Sequence, residues 1–225
     1  MISLEALRAE MAAAGDPERA AGQQRYMKSA IPYHGLTTPE LRSLLRQHLK
    51  GFRPLDRADW ERTVRHFWDD ATHREERYAA IALARHRTAR QWQDVDTLEL
   101  NRHLVVTGAW WDVVDVIAQH LVGAVLAADR PAATRVLRTW AVDHDLWLRR
   151  TSVICQLAHG SDTDLDLLTF AIERNLDDPS FWLRKAIGSA LRQHARVDPE
   201  WVRAYVASLG DRLSGLSRRE ATRHL

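Results

Sequence analysis

The chain has 225 residues, of which 45% are hydrophobic, so it can bury a sizeable core and is not disordered over most of its length. Its formal net charge is only +2 at pH 7, but of its 32 basic side chains only three are lysine, so 29 are arginine. Arginine makes bidentate contacts with phosphates, and the composition therefore permits nucleic-acid binding, although GC-rich codon usage produces the same bias.

The cysteine and histidine content excludes the common metal sites. Cys155 is the only cysteine, so neither an intrachain disulfide nor a cysteine-based zinc site can form. The eleven histidines show no HExxH or comparable ligand spacing. We therefore expect neither a metal nor a cofactor.

The sequence shows no targeting or membrane signal. Residues 1–5 do not combine a basic region with a following apolar run, and no stretch approaches eighteen consecutive apolar residues. We expect a soluble, cytoplasmic protein that contacts no membrane. Because no oligomer interface is evident, a monomer is the simplest expectation.

Helix-start signals recur along the chain, whereas alternating β patterns bounded by turns do not. Four sites place a capping side chain before a proline at the first helical position: Asp16-Pro17, Thr38-Pro39, Asp178-Pro179 and Asp198-Pro199. Ser217 and Glu220 have the spacing of a capping box. The chain is therefore predicted to be all-α, with about a dozen helices.

The predicted helices form a single domain over residues 1–225. N-terminal helices occupy residues 1–53, repeated helix pairs occupy 54–215, and a tail over 216–225 is predicted to fray from Arg218. One helix is predicted to begin at Asp56 or Asp59 and to bury Trp60, Val64, Phe67 and Trp68. The other predicted helices cover residues 1–14, 17–29, 38–49, 74–88, 94–104, 108–128, 131–144, 145–159, 162–175, 179–196 and 199–209.

Aromatic residues recur at intervals that indicate a repeat. Tyr78, Trp111, Trp147 and Trp182 follow one another at intervals of 33, 36 and 35 residues, and each is predicted to open a helix that follows a shorter one. This spacing is typical of a HEAT-like solenoid, in which stacked helix pairs bury a continuous core and the second helices line a concave surface.

The stretch Trp-Trp-Asp-Val-Val-Asp at residues 110–115 is the most distinctive in the chain. If residues 108–128 form one helix, Trp111 and Asp115 are i, i+4 neighbours beside its buried stripe. That stripe contains Trp110, Val114, Ile117, Ala118 and Leu121. A carboxylate held beside an indole suits a cationic ligand or transition state. The alternative is that Trp111 packs beneath the next helix and Asp115 caps a helix or pairs with an arginine.

A track of cations is predicted beside Asp115. Aligned on the aromatic residues, the position three later carries Ile81, Val114, Arg150 and Lys185, and the next carries Ala82, Asp115, Thr151 and Ala186. Arg149, Arg150, Arg184 and Lys185 then line a basic groove matched to a phosphate backbone. For any one of these four residues, a solvated helix face is the simpler explanation.

Four motifs together resemble the AlkD family of DNA alkylation-repair glycosylases, over nearly the whole chain. They are Tyr-Met-Lys at 26–28, Trp-Asp-Val-Val-Asp at 111–115, Trp-Leu-Arg-Arg at 147–150 and Phe-Trp-Leu-Arg-Lys-Ala-Ile-Gly at 181–188. The resemblance rests on their order and spacing. It implies a HEAT-like solenoid that binds duplex DNA and excises purines alkylated at N3 or N7, which carry a positive charge on the base.

The resemblance also implies roles for particular residues. Asp115 would be the catalytic aspartate, Trp111 the first cleft tryptophan and Arg150 a DNA-contacting arginine. The motif at the start of the chain implies DNA contacts for Tyr26 and Lys28.

One position departs from the family pattern. The pattern has a second cleft tryptophan directly after the glycine of the fourth motif, and here that residue is Ser189. The departure removes one aromatic wall of the cleft. It puts in question the rate of base excision, the range of adducts that are excised and the glycosylase activity itself. Further candidate cleft residues are Trp110, Trp147 and Trp182.

Three functions are therefore open. The first is a monofunctional glycosylase with Asp115 catalytic. The second is a non-catalytic solenoid that binds damaged or branched DNA, which requires that Asp115 point into the core or pair with an arginine. The third is a protein-interaction scaffold, a frequent role of HEAT-like arrays.

Overall fold

A computed structural model describes residues 2–225, which are 73% helical and contain no strand. The prediction of an all-α chain is confirmed. The chain forms two compact units, Met1–Trp92 and Gln93–Leu225.

The first unit contains five α-helices among its described residues: α1 (Leu4–Ala14), α2 (Pro17–Met27), α3 (Thr38–Leu49), α4 (Arg57–Asp69) and α5 (Arg74–Ala84), followed by a 3-10 segment at Arg87–Trp92. Asp16 caps α2 as predicted. The cap of α3 is Thr37, one residue before the predicted Thr38, because Thr37 forms the capping box with Glu40. The predicted inner face of α4 is confirmed, since Trp60, Val64, Phe67 and Trp68 are fully buried.

Two buried carboxylates at the start of α5 connect this helix to earlier segments of the first unit by hydrogen bonds. Glu75 accepts hydrogen bonds from the backbone N–H groups of residues 34–36. Glu76 accepts two from the Arg8 guanidinium, both at 2.9 Å, and others from Thr72 and from Nε2 of His34. Burial by itself would raise the pKa of Glu76, but these hydrogen bonds and the Arg8 charge lower it well below its ordinary value.

We predict that Glu76→Gln makes the protein less stable at neutral pH by about 3 kcal/mol, as expected when one partner of a buried ion pair is removed. Because the folded-state pKa is depressed, the stability that Glu76 contributes is present above its ordinary pKa of 4.5 and is lost as the pH falls below it. Urea unfolding measured from pH 7 down to about pH 3 checks this expectation. The difference between natural protein and variant should shrink with acidification, while exposed Glu18→Gln should show almost no difference at any pH. A constant difference would contradict the assignment.

The second unit consists mainly of helix pairs. Its helices are α6 (Leu98–Gly108), α7 (Trp111–Ile117), α8 (Gly123–Ala128), α9 (Arg130–Trp140), α10 (Leu146–Ile154), α11 (Leu165–Glu173), α12 (Phe181–His194), α13 (Pro199–Leu209) and α14 (Gly215–Ala221). Helix α10 packs against both α7 and α12, and α9 packs against α8, α10 and α11. This stacking of successive pairs agrees with the predicted helical repeat.

Helices α7 and α8 are continuous through a π-helical segment, Ala118–Val122. The whole run, Trp111–Ala128, has the length and mean hydropathy (1.4) of a membrane span, yet half of it is buried inside the protein and it contains Asp112 and Asp115. One such helix is only a weak indication of a membrane span, because a buried core helix has the same composition.

Counted from the helix starts, the predicted repeat alignment is wrong by one residue at α7, while α10 and α12 remain aligned on Trp147 and Trp182. Counted from the first residue of α7, α10 and α12, the fifth positions are Asp115, Arg150 and Lys185. The aspartate therefore corresponds to cations, not to the neutral residues of the sequence alignment. Tyr78 does not open a helix either, since it lies in the middle of α5.

The end of the chain also differs from the prediction. The residues from Arg218, predicted to fray, continue α14 to Ala221, and α14 packs against α12. Ser214 caps this helix; Ser217 is buried and donates a hydrogen bond to the Arg184 carbonyl oxygen. Ser217 and Glu220 thus join α14 to α12 and do not form the predicted capping box.

Candidate active site

Asp115 lies on the first turns of α7, where its carboxylate is partly exposed. The helix begins at Trp111 and is preceded by Ala109, whose φ of 41° lies in the left-handed region that disfavours side chains with a Cβ. That conformation turns the chain sharply between α6 and α7. Asp115 retains 34% exposure of its side chain, which is therefore partly open to solvent.

Arg150 on α10 binds this carboxylate with two parallel hydrogen bonds. Its Nε donates to Oδ1 of Asp115 and its Nη2 to Oδ2, each at 2.7 Å. Its Nη1 donates to the Trp182 carbonyl oxygen on α12. Only 6% of the Arg150 side chain is exposed. The guanidinium therefore fixes Asp115 and joins three successive second helices.

The predicted cleft tryptophans fall into two groups. Trp110, Trp147 and Trp182 pack against one another, with ring centroids 5.3–6.1 Å apart. Trp147 is buried, whereas Trp110 and Trp182 are partly exposed. Trp111 has no ring stacked on it within residues 2–225 and is partly exposed one turn before Asp115. Trp111 and Asp115 lie one turn apart on α7 as predicted, whereas Trp110, which was predicted to lie in the buried stripe, precedes the helix and is partly exposed.

The other predicted cations of this unit also have partners within the protein. Arg149 donates to the Asp178 carboxylate at 2.8 Å and to the Asp143 carbonyl oxygen at 3.0 Å. Arg184 donates through Nε to the Asp178 carbonyl oxygen. The Lys185 ammonium lies 2.6 Å from Glu220, and this hydrogen bond lowers the pKa of that carboxyl.

These contacts show that the predicted track of cations consists mostly of side chains that already have partners inside the protein. Arg150 is enclosed and uses three of its N–H groups inside the protein, while Arg149 and Lys185 are neutralised by carboxylates. Of the four, Arg184 alone uses only Nε within the described chain, which leaves its two terminal nitrogens available to phosphate. A basic groove stays a prediction.

Ser189 is partly exposed on α12, one turn after Lys185. The preceding Gly188 allows α14 to approach closely, because a Cβ there would lie 2.4 Å from Cβ of Glu220 and 2.9 Å from the Ser217 carbonyl oxygen. The glycine of the fourth motif is therefore explained by helix packing.

Tyr26 and Lys28 belong to the first unit. Tyr26 is 80% exposed at the end of α2, and Lys28 ends that helix with a φ of 50°. Within residues 2–225, Lys28 and Ala109 are the only non-glycine residues with positive φ. Lys28 lies in one of the four motifs and Ala109 lies two residues before another; the family resemblance implies DNA binding or catalysis for these motifs, and backbone strain is common at such sites.

One group of side chains has the spacing of metal ligands. His34, His73 and Glu76 in the first unit have ligand atoms within 4.8 Å of one another. The two imidazoles stack at 3.8 Å, however, and Arg8 and Thr72 already donate to both oxygens of Glu76. The donor set therefore suits a hydrogen-bonded ion-pair network better than a metal.

Sequence reasoning missed that Arg150 is the partner of Asp115. The signal was present, because the two residues occupy the same position in successive second helices once the helices are aligned on their first residues. The aromatic alignment concealed it: Trp111 is the first residue of α7, whereas Trp147 is the second of α10.

Comparison with known proteins supports this assignment of motifs. A family model described as DNA alkylation repair enzyme matches residues 7–225. The chain belongs to this DNA alkylation repair family. The AlkD-like assignment made from the motifs is thus confirmed, and membership supports an enzymatic role in the repair of alkylated DNA.

A solved structure agrees with the family assignment. The chain is similar to a predicted DNA alkylation repair enzyme from Enterococcus faecalis, with 29% sequence identity and a TM-score of 0.84 over 94% of this chain and 96% of the other. A comparison with curated proteins gave no significant match.

Proposed function

We propose that this member of the DNA alkylation repair family is a monofunctional glycosylase that hydrolyses the N-glycosidic bond of N3- or N7-alkylated purines in duplex DNA. The observation that carries the proposal is the Asp115 carboxylate, which Arg150 holds in one orientation while a third of the side chain stays exposed. A fixed, accessible anion is what a developing cation requires.

The chemistry needs only one carboxylate. When the bond between C1′ of the deoxyribose and the purine nitrogen breaks, its electron pair neutralises the cationic base, which leaves without being protonated. Positive charge develops on the sugar, and Asp115 stabilises it and orients the attacking water. The water oxygen bonds to C1′ and its proton passes to solvent or to Asp115. Ordinary glycosidases need a second carboxylate as acid because their leaving groups are poor.

The hydrogen bonds from Arg150 position the Asp115 carboxylate and leave it able to accept further hydrogen bonds. Each carboxylate oxygen accepts one hydrogen bond from the guanidinium and retains further acceptor capacity. Trp111, one turn away, can place its ring face against the sugar or the cationic base, an interaction worth about 0.5–2 kcal/mol.

The direct test is release of alkylated purines from alkylated duplex DNA by the natural protein, with the bases separated and quantified. Release of N3- and N7-alkylpurines above the spontaneous rate supports the proposal. No release from DNA that the protein binds would contradict it.

A second function is favoured by one observation. The Asp115–Arg150 ion pair is the arrangement that lets an aspartate face DNA without strong repulsion, so the site is also compatible with a non-catalytic protein that binds damaged or branched DNA. In that case a branched or damaged duplex should bind much more tightly than a plain one, and no base should be released.

We further predict that Ser189 widens the range of adducts. A serine occupies the family position of an indole, so less surface contacts a small methyl adduct and more room is left for a bulky one. Ser189→Trp is expected to raise the excision rate of methylated purines severalfold and to lower that of bulky adducts. Ser189→Ala is the matched control, since it keeps the space open. Equal rates for all proteins on both kinds of adduct would contradict the prediction.

A further inference from the structure

Two arginines outside the predicted site share one aromatic ring. The guanidinium carbon of Arg138 lies 4.4 Å from the centroid of the Phe170 ring, and that of Arg174 lies 5.1 Å from it. Phe170 is partly buried and packs against the hydrophobic core of the second unit, so the ring is a fixed platform. Stacking on such a ring orients a guanidinium and leaves its N–H groups available to acceptors.

Neither guanidinium is neutralised by the protein. Among residues 2–225, no carboxylate lies within ion-pair distance of Arg138 or Arg174, and neither side chain donates a hydrogen bond. The acidic residues of α11, Asp166 and Glu173, form no such pair. Glu173 instead lies close enough to Tyr205 to add to the effect of burial in raising the pKa of that phenol.

The two charges are therefore close together and uncompensated. Because both carbons lie near the same centroid, they are at most about 10 Å apart, a range over which like charges near a protein surface repel appreciably. A bridging anion would relieve this repulsion. Arg149, Arg150 and Lys185, by contrast, are all paired with carboxylates inside the protein.

The arginine pair lies at the edge of the unit where α10 and α12 begin. Arg138 is two residues before the end of α9, whose short connection leads into α10. Arg174 directly follows the last residue of α11, and the connection from there leads into α12. The buried Asn175 side chain donates to the carbonyl oxygens of Ala141 and Ala171, which fixes the ends of α9 and α11 relative to each other.

We propose that Arg138 and Arg174, held on Phe170, form a phosphodiester-binding site that anchors duplex DNA. The ligand is one phosphate, or two neighbouring phosphates of one strand. This inference rests on the proposed action on DNA, but it requires only binding and not base release.

The test is the salt dependence of binding to undamaged duplex DNA, measured by fluorescence anisotropy. Each phosphate contact contributes about 0.9 to the slope of log affinity against log salt concentration. Arg138→Gln combined with Arg174→Gln should lower the magnitude of the slope by about 1–2 and weaken binding at least about tenfold at low salt. Phe170→Leu keeps both charges, so it should weaken binding about two- to fivefold with little change in slope.

The matched control removes two other exposed arginines. Arg196 follows the far end of α12, and Arg203 on α13 pairs with Glu200, so Arg196→Gln combined with Arg203→Gln changes the net charge equally. An unchanged slope in the Arg138/Arg174 variant, or an equal loss in the control, overturns the proposal, as does the absence of DNA binding by the natural protein. Since no base release is measured, a protein that binds in this way but lacks glycosylase activity would refute only the proposed function.

Discussion

Asp115→Asn is expected to lower the rate of alkylpurine release by at least about 10²–10³-fold, the usual loss when a group that stabilises transition-state charge is removed. The amide has nearly the same shape and its oxygen can still accept one of the two hydrogen bonds from Arg150, so the fold should persist although the second hydrogen bond is lost. What disappears is the negative charge that faces the sugar. The loss should therefore fall on kcat, measured as single-turnover release from a saturated complex.

Binding provides the control for this variant. Asp115→Asn should bind duplex DNA as tightly as the natural protein or slightly more tightly, because a negative charge near the phosphates has been removed. Asp112→Asn, which changes a neighbouring carboxylate on the same first turns of α7, should keep most of the activity. Full activity in Asp115→Asn, or equal losses in the two variants, would refute the catalytic assignment.

Arg150→Met is expected to lower kcat about 10²-fold, because the side chain acts through Asp115, and to weaken DNA binding only through repulsion between the unpaired Asp115 carboxylate and the phosphates. Without the guanidinium, the carboxylate is free to rotate, and misplacement of a catalytic group by about 1 Å costs about that factor. We also expect a loss of about 2 kcal/mol in the free energy of unfolding. This is less than for a fully buried pair, because a third of Asp115 is exposed and can be rehydrated.

The salt dependence of binding separates this role from the one that the family resemblance implies. If Arg150 held a phosphate, its removal would lower the slope of log affinity against log salt by about 0.9 and weaken binding, with kcat preserved. If it positions Asp115, the slope stays the same and kcat falls. Arg149→Met is the control, since Arg149 adjoins Arg150 and pairs with Asp178 instead. Arg150→Lys, which keeps the charge but not the two parallel hydrogen bonds, should recover only part of the activity.

Local signals in the sequence determined much of the fold. Asp16 and Asp198 cap the helices that they were predicted to cap, because an N-terminal cap depends only on residues within one turn. Asp178 does not cap α12, which begins at Phe181 and is capped by Ser180. The inner face of α4 was equally predictable, since its apolar residues repeat with the helical period. The order and spacing of four motifs, with the i, i+4 pair of Trp111 and Asp115, also sufficed for the family and for the candidate catalytic anion.

What the sequence could not decide was which charges meet. The partners of Arg149, Arg150 and Lys185 depend on which helices stack and on the residue at which each helix begins. A misalignment of one residue rotates a side chain by about 100° around its helix. Aligning the aromatic residues made that error and hid the Asp115–Arg150 pair. The Phe170 platform likewise joins side chains from α9 and α11, more than thirty residues apart for Arg138. Composition, caps and periodicity are local properties, so the sequence by itself was enough to predict an all-helical chain. Ion pairs between helices form only when the helices pack, so only the tertiary structure could assign them.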